Sequence, residues 1–343
     1  MSTELGKLED LPNDYLEKLK KAGVAPLWPM MRNVLPHNAP NPATDSGLWS
    51  FDKIRPLLIE AGKLTPVEKA ERRVLVLSDP GRGVGAMQAT STIYVGLQLL
   101  LPGETAPAHK HTPSAVRIII EGTGGYTVVN GEKLPMDEGD LVLTPGGEWH
   151  DHGHEGNDPV IWLDALDLPL FVALEGSYAV ERELQKTKNR PDSSQLEYLS
   201  SGLVPARKSN DKILKYPMMR FPWRNTKDSL MKLSKYSQSG VSELDYVNPE
   251  NGKDVLPTMG FTAMLITASK SFKPIQNSTS SVFHVINGKG KSKINNKLIE
   301  WGNKDTFSIP VFSKVEHFAE EDSYLIKIHD KPLQEKLGFF EER

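Results

Sequence analysis

"VRIIIEGTGGYTVVNG" (116–131) and "VFHVINGKGKSKINN" (282–296) carry one pattern twice. Each has an apolar strand-like run, a Gly-x-Gly turn, a second strand and a closing Asn turn. The neighbourhood repeats as well: "EGDLVLTP" (138–145) is matched by "GNKDTFSIP" (302–310). A self-similar unit of this size constrains the fold more tightly than any single strand assignment. Working outward, "IYVGLQLLL" (93–101), "DLVLTP" (140–145) and "VIWLDAL" (160–166) are further short strands separated by Gly and Pro turns. "FTAMLITAS" (261–269) and "DTFSIP" (305–310) do the same in the second half. The spacing predicts an all-β architecture of two similar sandwiches or small barrels.

The boundaries expected are an N-terminal arm at 1–75, a first barrel at 76–170, a linker at 171–236 and a second barrel at 237–343. In the arm, "LPNDYLEKLKKAG" predicts a helix closed by Gly23, and Thr65-Pro66 opens another helix ahead of a strand at 74–77. The linker is basic, with 13 Lys or Arg against 5 Asp or Glu over 182–236. It carries Tyr198, Tyr216, Phe221 and Trp223, which is one way to build a nucleic-acid surface. A solvated connector whose aromatics pack on a barrel is the plainer reading and is preferred. The whole chain of 343 residues has a net charge of −3, so no nucleic-acid partner is expected.

Cysteine is absent, which removes disulfides, thiolate nucleophiles and Cys-ligated metals. It fits a cytoplasmic protein. The N-terminal stretch is charged throughout, so no signal peptide is expected. The longest apolar run is far too short to span a bilayer, so no membrane partner is expected.

Five of nine histidines lie between 109 and 154. His109 and His111 alternate along extended backbone and so point to one face. His150 follows the turn Pro145-Gly146-Gly147. Two antiparallel strands can bring these three imidazoles to one point, and neutral imidazoles suit first-row divalent metals. Any one of them alone reads as a surface turn residue; three at this spacing read as a metal site. His152 is a candidate neighbour of the metal, and His154 is expected in an exposed loop. In the second repeat Ile275, Asn277 and Val315 stand where His109, His111 and His150 stand, and His317 falls opposite His152. The second barrel is therefore expected to hold no metal, with His284 packed as a strand residue.

The elements G-x5-H-x-H (from Gly103) and G-x5-P-x-G-x2-H (from Gly139) are the two cupin motifs. The chain resembles a bicupin: two double-stranded β-helix (jelly-roll) barrels, with a helical N-terminal arm and a partly helical linker. The stretches "LQLLLPGETAPAHKHTPSAVRIIIEG", "LTPGGEWHDHG" and "VIWLDALDLPL" resemble the gentisate, salicylate and 1-hydroxy-2-naphthoate 1,2-dioxygenases. That resemblance implies one Fe(II) per chain on His109, His111 and His150, with O2 as co-substrate. It implies gentisate opened to maleylpyruvate, in a homo-oligomer, a tetramer. The alternatives are salicylate or 1-hydroxy-2-naphthoate cleavage, or a non-catalytic bicupin.

Many barrel metal sites add a glutamate four or five residues after the His pair. Here Val116 and Arg117 occupy that region. Three neutral histidines leave both charges of Fe(II) uncancelled. A 2-hydroxybenzoate brings its own negative charge, so Arg117 is expected to stand unpaired until the substrate carboxylate arrives. On that expectation, losing Arg117 leaves the fold no less stable. Arg73 resembles a second substrate arginine. Gln98 matches a pocket position, and His152 could hydrogen-bond or deprotonate the ring hydroxyl. Tyr94 could face the second ring hydroxyl of gentisate. Asp164 reads equally as an acceptor for an imidazole or arginine and as a strand-end carboxylate.

Overall fold

The computed structural model describes residues 5–183, 186–187, 192–200, 202–206 and 214–343. It divides into a unit of residues 1–43 and a unit of residues 44–343. The first contains α1 (Asn13–Ala22) and the short α2 (Met31–Val34). Gly23 closes α1 in the left-handed conformation, as the sequence predicts.

The second unit begins with β1 (Leu48–Trp49), α3 (Phe51–Leu64), α4 (Val67–Ala70) and β2 (Arg73–Val76). The first barrel continues through β3 (Tyr94–Leu100), β4 (Thr105–His111), β5 (Ala115–Glu121), β6 (Gly125–Val129), β7 (Glu132–Met136), β8 (Leu141–Thr144), β9 (His150–His154) and β10 (Val160–Leu166). Then come α5 (Leu168–Ala173), β11 (Ala179–Arg182), α6 (Ser193–Glu197), β12 (Arg220–Phe221) and α7 (Trp223–Ser234). The second barrel runs through β13 (Val241–Asp245), β14 (Gly260–Ile266), β15 (Ser271–Phe272), β16 (Ser281–Asn287), β17 (Gly290–Ile294), β18 (Lys297–Trp301), β19 (Thr306–Ile309), β20 (Val315–Ala319) and β21 (Ser323–His329), ending in α8 (Lys331–Leu337).

Sheet order shows the repeat directly. One sheet of the first barrel runs β12-β8-β5-β10-β3-β2, and its counterpart runs β1-β19-β16-β21-β14-β13. The opposing sheets are β11-β4-β9-β6-β7 and β15-β20-β17-β18. The architecture is the all-β bicupin that the sequence predicts. Gly122 and Gly288 hold positive φ at matching turns; a Cβ on either would stand 2.5 Å from the Pro159 carbonyl or 2.3 Å from the Ser323 hydroxyl.

The arm and linker segments do more than connect. β1 adds an edge strand to the second barrel, while β2, β11 and β12 add edge strands to the first. Part of the basic stretch, including Arg207, Lys208 and Lys212, lies outside the described residues.

β5 and β10 read as nearly continuous apolar runs because both of their faces are covered. Their outer faces join α3 and the outer faces of β14, β16 and β21 in one shared core, which includes Leu58, Leu97, Leu99, Ile118, Leu163, Phe261 and Ile328. The barrel interiors differ. The second is filled by Phe283, Phe307, Trp301 and Ile299, with Phe283 stacked on Phe307 at 5.1 Å. Phe283 pairs with Lys327 in the register that Arg117 and Asp164 occupy in the first barrel. His284 is buried and bonded to the Thr306 hydroxyl (3.0 Å), a packed strand residue as expected. The first interior has a smaller apolar plug of Val67, Leu100, Ile119, Met136, Val160 and Trp162, which leaves its other end polar.

Candidate metal centre

That polar end is built by β4 and β9. Their antiparallel register opposes Ala106 to His152 and His109 to His150. Between these pairs Pro107 and Ala108 face the single residue Asp151, and Pro107 cannot donate to the ladder. Alternation turns His109 and His111 to one face of β4, and His150, His152 and His154 to one face of β9. Ring centroids of His109 and His150 lie 4.1 Å apart, His111 and His150 4.8 Å, and His109 and His111 5.5 Å. His152 stands 5.6 Å from His150 and 5.9 Å from His109.

Each of three rings is tied by Nδ1 to a carbonyl of its own segment: His109 to Pro107 (3.0 Å), His111 to Pro113 (2.6 Å) and His150 to Glu148 (3.0 Å). A carbonyl only accepts, so Nδ1 carries the proton and the Nε2 lone pair is free. His152 is anchored differently, by the Thr127 hydroxyl (3.1 Å), which also accepts from Arg117 Nη1 (3.3 Å). Nε2 of His150 and of His152 are buried with no partner. Orphaned buried nitrogens of this kind fit an ion more readily than a void.

Two criteria choose different triads. By distance between ligand atoms, His109, His150 and His152 lie within 4.8 Å of one another. By anchoring and ring spacing, His109, His111 and His150 form the set. The carbonyl bonds of His109, His111 and His150 present three lone pairs, whereas the Thr127 hydroxyl leaves the tautomer of His152 open.

Burial, then the charge of Arg72, pushes His109 down to about 3, and burial takes His111 down to about 4. Burial also holds His150 and His152 well below the ordinary histidine value. All four imidazoles are neutral at pH 7, the state in which histidine ligates metal.

The facing wall comes from β5, β10, β3 and β2. Asp164 pairs across strands with Arg117 and Gly96, and Trp162 with Gln98. Arg117 therefore does not stand unpaired: its Nε lies 3.0 Å from Asp164 Oδ1, and both side chains are buried. The contact is an ion pair without hydrogen-bond alignment. Asp164 also accepts from Trp162 Nε1 (2.9 Å), and the Arg117 guanidinium lies 5.7 Å from the Trp162 ring. Of the two readings of Asp164, the buried partner of an arginine is the one observed, as an ion pair. Gln98 is buried with Nε2 unpartnered. Tyr94 folds its hydroxyl over Gly96, where a Cβ would meet it at 2.7 Å. Burial, then Asp164, raises the phenol's pKa, so it stays protonated and can donate.

The structure corrects Arg73. It pairs with Leu99 on the outer face of β2–β3, beneath α3. Its guanidinium donates to the carbonyls of Gly62 (3.2 Å) and Thr65 (3.4 Å) and pairs with Glu104. Arg72 is the residue whose charge reaches His109, His111, Arg117 and Asp164, and it is half-buried. The signal that could have separated them is alternation, since Arg73 shares its face with Leu75 and Leu77, which pack in the shared core. His154 is also corrected: it is buried, with Nε2 on the Asp158 carbonyl (2.5 Å) and Nδ1 accepting from Gly156 N (3.1 Å). It pins the 155–158 turn.

A family model described as Cupin domain matches residues 96–166. Gentisate 1,2-dioxygenase of a Ralstonia species is 44% identical over 347 residues, spanning 100% of this chain and 97% of the relative. The 5-aminosalicylate 1,2-dioxygenase of a Comamonas species is 34% identical over 95% of this chain and 88% of its own. The crystal structure of salicylate 1,2-dioxygenase from Pseudoaminobacter salicylatoxidans, as its adduct with gentisate, superposes with a TM-score of 0.91 at 27% identity, covering 100% of this chain and 96% of that one. With two barrels of matching strand order and one histidine cluster in the first, the chain belongs to the gentisate 1,2-dioxygenase family of cupin dioxygenases.

Proposed function

We propose that the protein opens the ring of gentisate with O2 at one Fe(II) per chain, breaking the bond between the carboxyl-bearing and adjacent hydroxyl-bearing carbons to give maleylpyruvate. The observation that carries the reading is the set of three carbonyl-anchored imidazoles, His109, His111 and His150, facing a wall that holds two arginines. These three histidines would hold the metal. A bound Fe(II) would supply the redox chemistry that O2 requires and two coordination places for a chelating substrate.

The protein's own groups supply the rest. Arg72 meets the substrate carboxylate at the half-buried edge of the site. Arg117 faces the same anion with the donors left after Thr127 has taken one of its five. Asp164 partly neutralises Arg117, so that its charge opposes the metal less. His152, neutral and anchored by Thr127, takes or holds the proton of the ring hydroxyl. Gln98 offers an amide donor, and Tyr94 a phenol for the 5-substituent. Two relatives act on rings with an electron-donating group there, gentisate and 5-aminosalicylate. Such a group eases oxygen attack on the ring.

No helix among the described residues is long and apolar enough to cross a membrane. The lack of cysteine fits a cytoplasmic enzyme, and family resemblance supports a homotetramer. The test of substrate is a panel of gentisate, salicylate and 1-hydroxy-2-naphthoate on the iron-loaded chain. Gentisate is expected to give the highest kcat/KM, and salicylate turned over as well or better would reassign the substrate.

A further inference from the structure

We propose that the second barrel positions the histidine cluster of the first, through Thr258 acting on Asp167. The proposal rests on the metal-centre reading and extends it to a residue of the other barrel.

Asp167 follows β10 by one residue and is 2% exposed. Its Oδ1 accepts from Ser114 N (2.7 Å), and its Oδ2 from the Thr258 hydroxyl (2.5 Å). Ser114 immediately precedes β5, and Thr258 lies two residues before β14 of the second barrel. The mirror arrangement exists at the other end of the repeat. Asp330 follows β21 by one residue, is 3% exposed, and accepts from Ser280 N (3.0 Å) and from the Thr92 hydroxyl (2.8 Å). Ser280 immediately precedes β16, and Thr92 lies two residues before β3. Each barrel thus lends one threonine to the aspartate of the other.

What lies beyond the aspartate differs. On the first-barrel side, the Pro113 carbonyl next to Ser114 anchors His111 Nδ1 (2.6 Å). The Ser114 hydroxyl accepts from Gly146 N (3.1 Å), and Gly147 N donates to the His111 carbonyl (2.8 Å), in the turn that leads into His150. A short run of hydrogen bonds therefore leads from Thr258 to the ring of His111 and the approach to His150. On the second-barrel side the equivalent places hold Asn277 and Val315, so the clasp at Asp330 has no imidazole to aim. Groups that orient ligand imidazoles commonly change metal affinity 10–100-fold when removed.

The experiment uses the full chain reconstituted anaerobically with Fe(II). Iron dissociation is measured by competition with a chelator, beside thermal stability and the kcat and KM for gentisate. Thr258→Val removes only the hydroxyl and is expected to bind iron about tenfold more weakly or worse. Thr258→Ser is expected to restore wild-type affinity. Thr92→Val removes the mirror bond, with Asp330 still accepting from the Ser280 hydroxyl (3.1 Å) and Gln334 Nε2 (3.1 Å), and should hold iron as the wild type does. If Thr258→Val keeps wild-type iron affinity, whatever stability it loses, the clasp is only structural and the proposal is wrong. Should Thr258→Val not fold, Thr258→Ala at this half-buried position is read by the same criteria. A wild-type chain that takes up no iron overturns the metal reading itself. The clasp is then judged in the metal-free chain from the imidazole nitrogen shifts of His111, which Thr258→Val should move and Thr92→Val should not. Unmoved shifts refute it.

Discussion

Replacing Arg117 with Ala leaves a carboxylate in the barrel without its cation. Asp164 is 6% exposed, lies 3.0 Å from Arg117 Nε, and keeps only the Trp162 indole as a hydrogen-bond donor at 2.9 Å. Removing one member of a buried pair costs roughly 3–5 kcal/mol, most of it from the charge left behind. That is on the order of 10 °C in Tm for a domain of this size. The sequence alone suggested the opposite sign, because it treated Arg117 as unpaired. The cost should depend on pH. Burial already raises the Asp164 pKa against the pull of Arg117, and without Arg117 it rises further. A carboxyl with a raised folded-state pKa contributes its stability below the unfolded value and loses it as pH rises through the folded value. The deficit of Arg117→Ala should therefore be smaller at pH 5 than at pH 8. Urea denaturation at the two pH values measures it, and a cycle with Asp164→Ala isolates the pair. A variant within about 1 kcal/mol of wild type at pH 8, far below the cost of breaking a buried pair, with no pH dependence, would refute the reasoning.

Arg72→Ala should raise KM for gentisate about tenfold or more with Tm nearly unchanged, an effect on substrate binding. Arg73→Ala should instead lose about 2–4 kcal/mol of stability, because Glu104 and the Gly62 and Thr65 carbonyls lose their donor; the reverse pattern would restore Arg73 to the site. His111→Ala should lose iron, while His152→Gln should keep iron and lose turnover; iron loss only in the second would favour the His109, His150 and His152 triad. Burial lifts Asp167 from the ordinary 3.8 to about 6, so its stabilising contribution is complete below pH 3.8 and lost as pH rises through about 6. Asp167→Asn, which cannot ionise, should gain about 3 kcal/mol relative to wild type between pH 4 and pH 7, and a pH-independent difference would show that Asp167 does not titrate there.

The repeat made the two barrels legible, because Gly-x-Gly turns and alternating strands survive in both halves. The histidines were legible because an x-spaced pair on a strand must share a face. The choice between Arg72 and Arg73 was not, since it depends on which face of β2 lies under α3. The Arg117–Asp164 pair was hidden in the register of β5 and β10, which shifts at a bulge beside Trp162. His154 looked like a loop residue because nothing local shows that β9 extends as far as position 154. The edge strands β1 and β12 are two residues each, too short to carry a pattern. The Asp167–Thr258 contact joins residues 91 positions apart and appears only when the two barrels are placed together.

The central claim is that one iron centre in the first barrel spends O2 on gentisate. Its most direct test is anaerobic reconstitution with Fe(II), a count of tightly held iron per chain, and oxygen uptake when gentisate is added. The account predicts one iron per chain, one O2 consumed per gentisate, and maleylpyruvate as product. Two tightly held irons per chain, or a fully iron-loaded protein that consumes no O2 with gentisate, would contradict it.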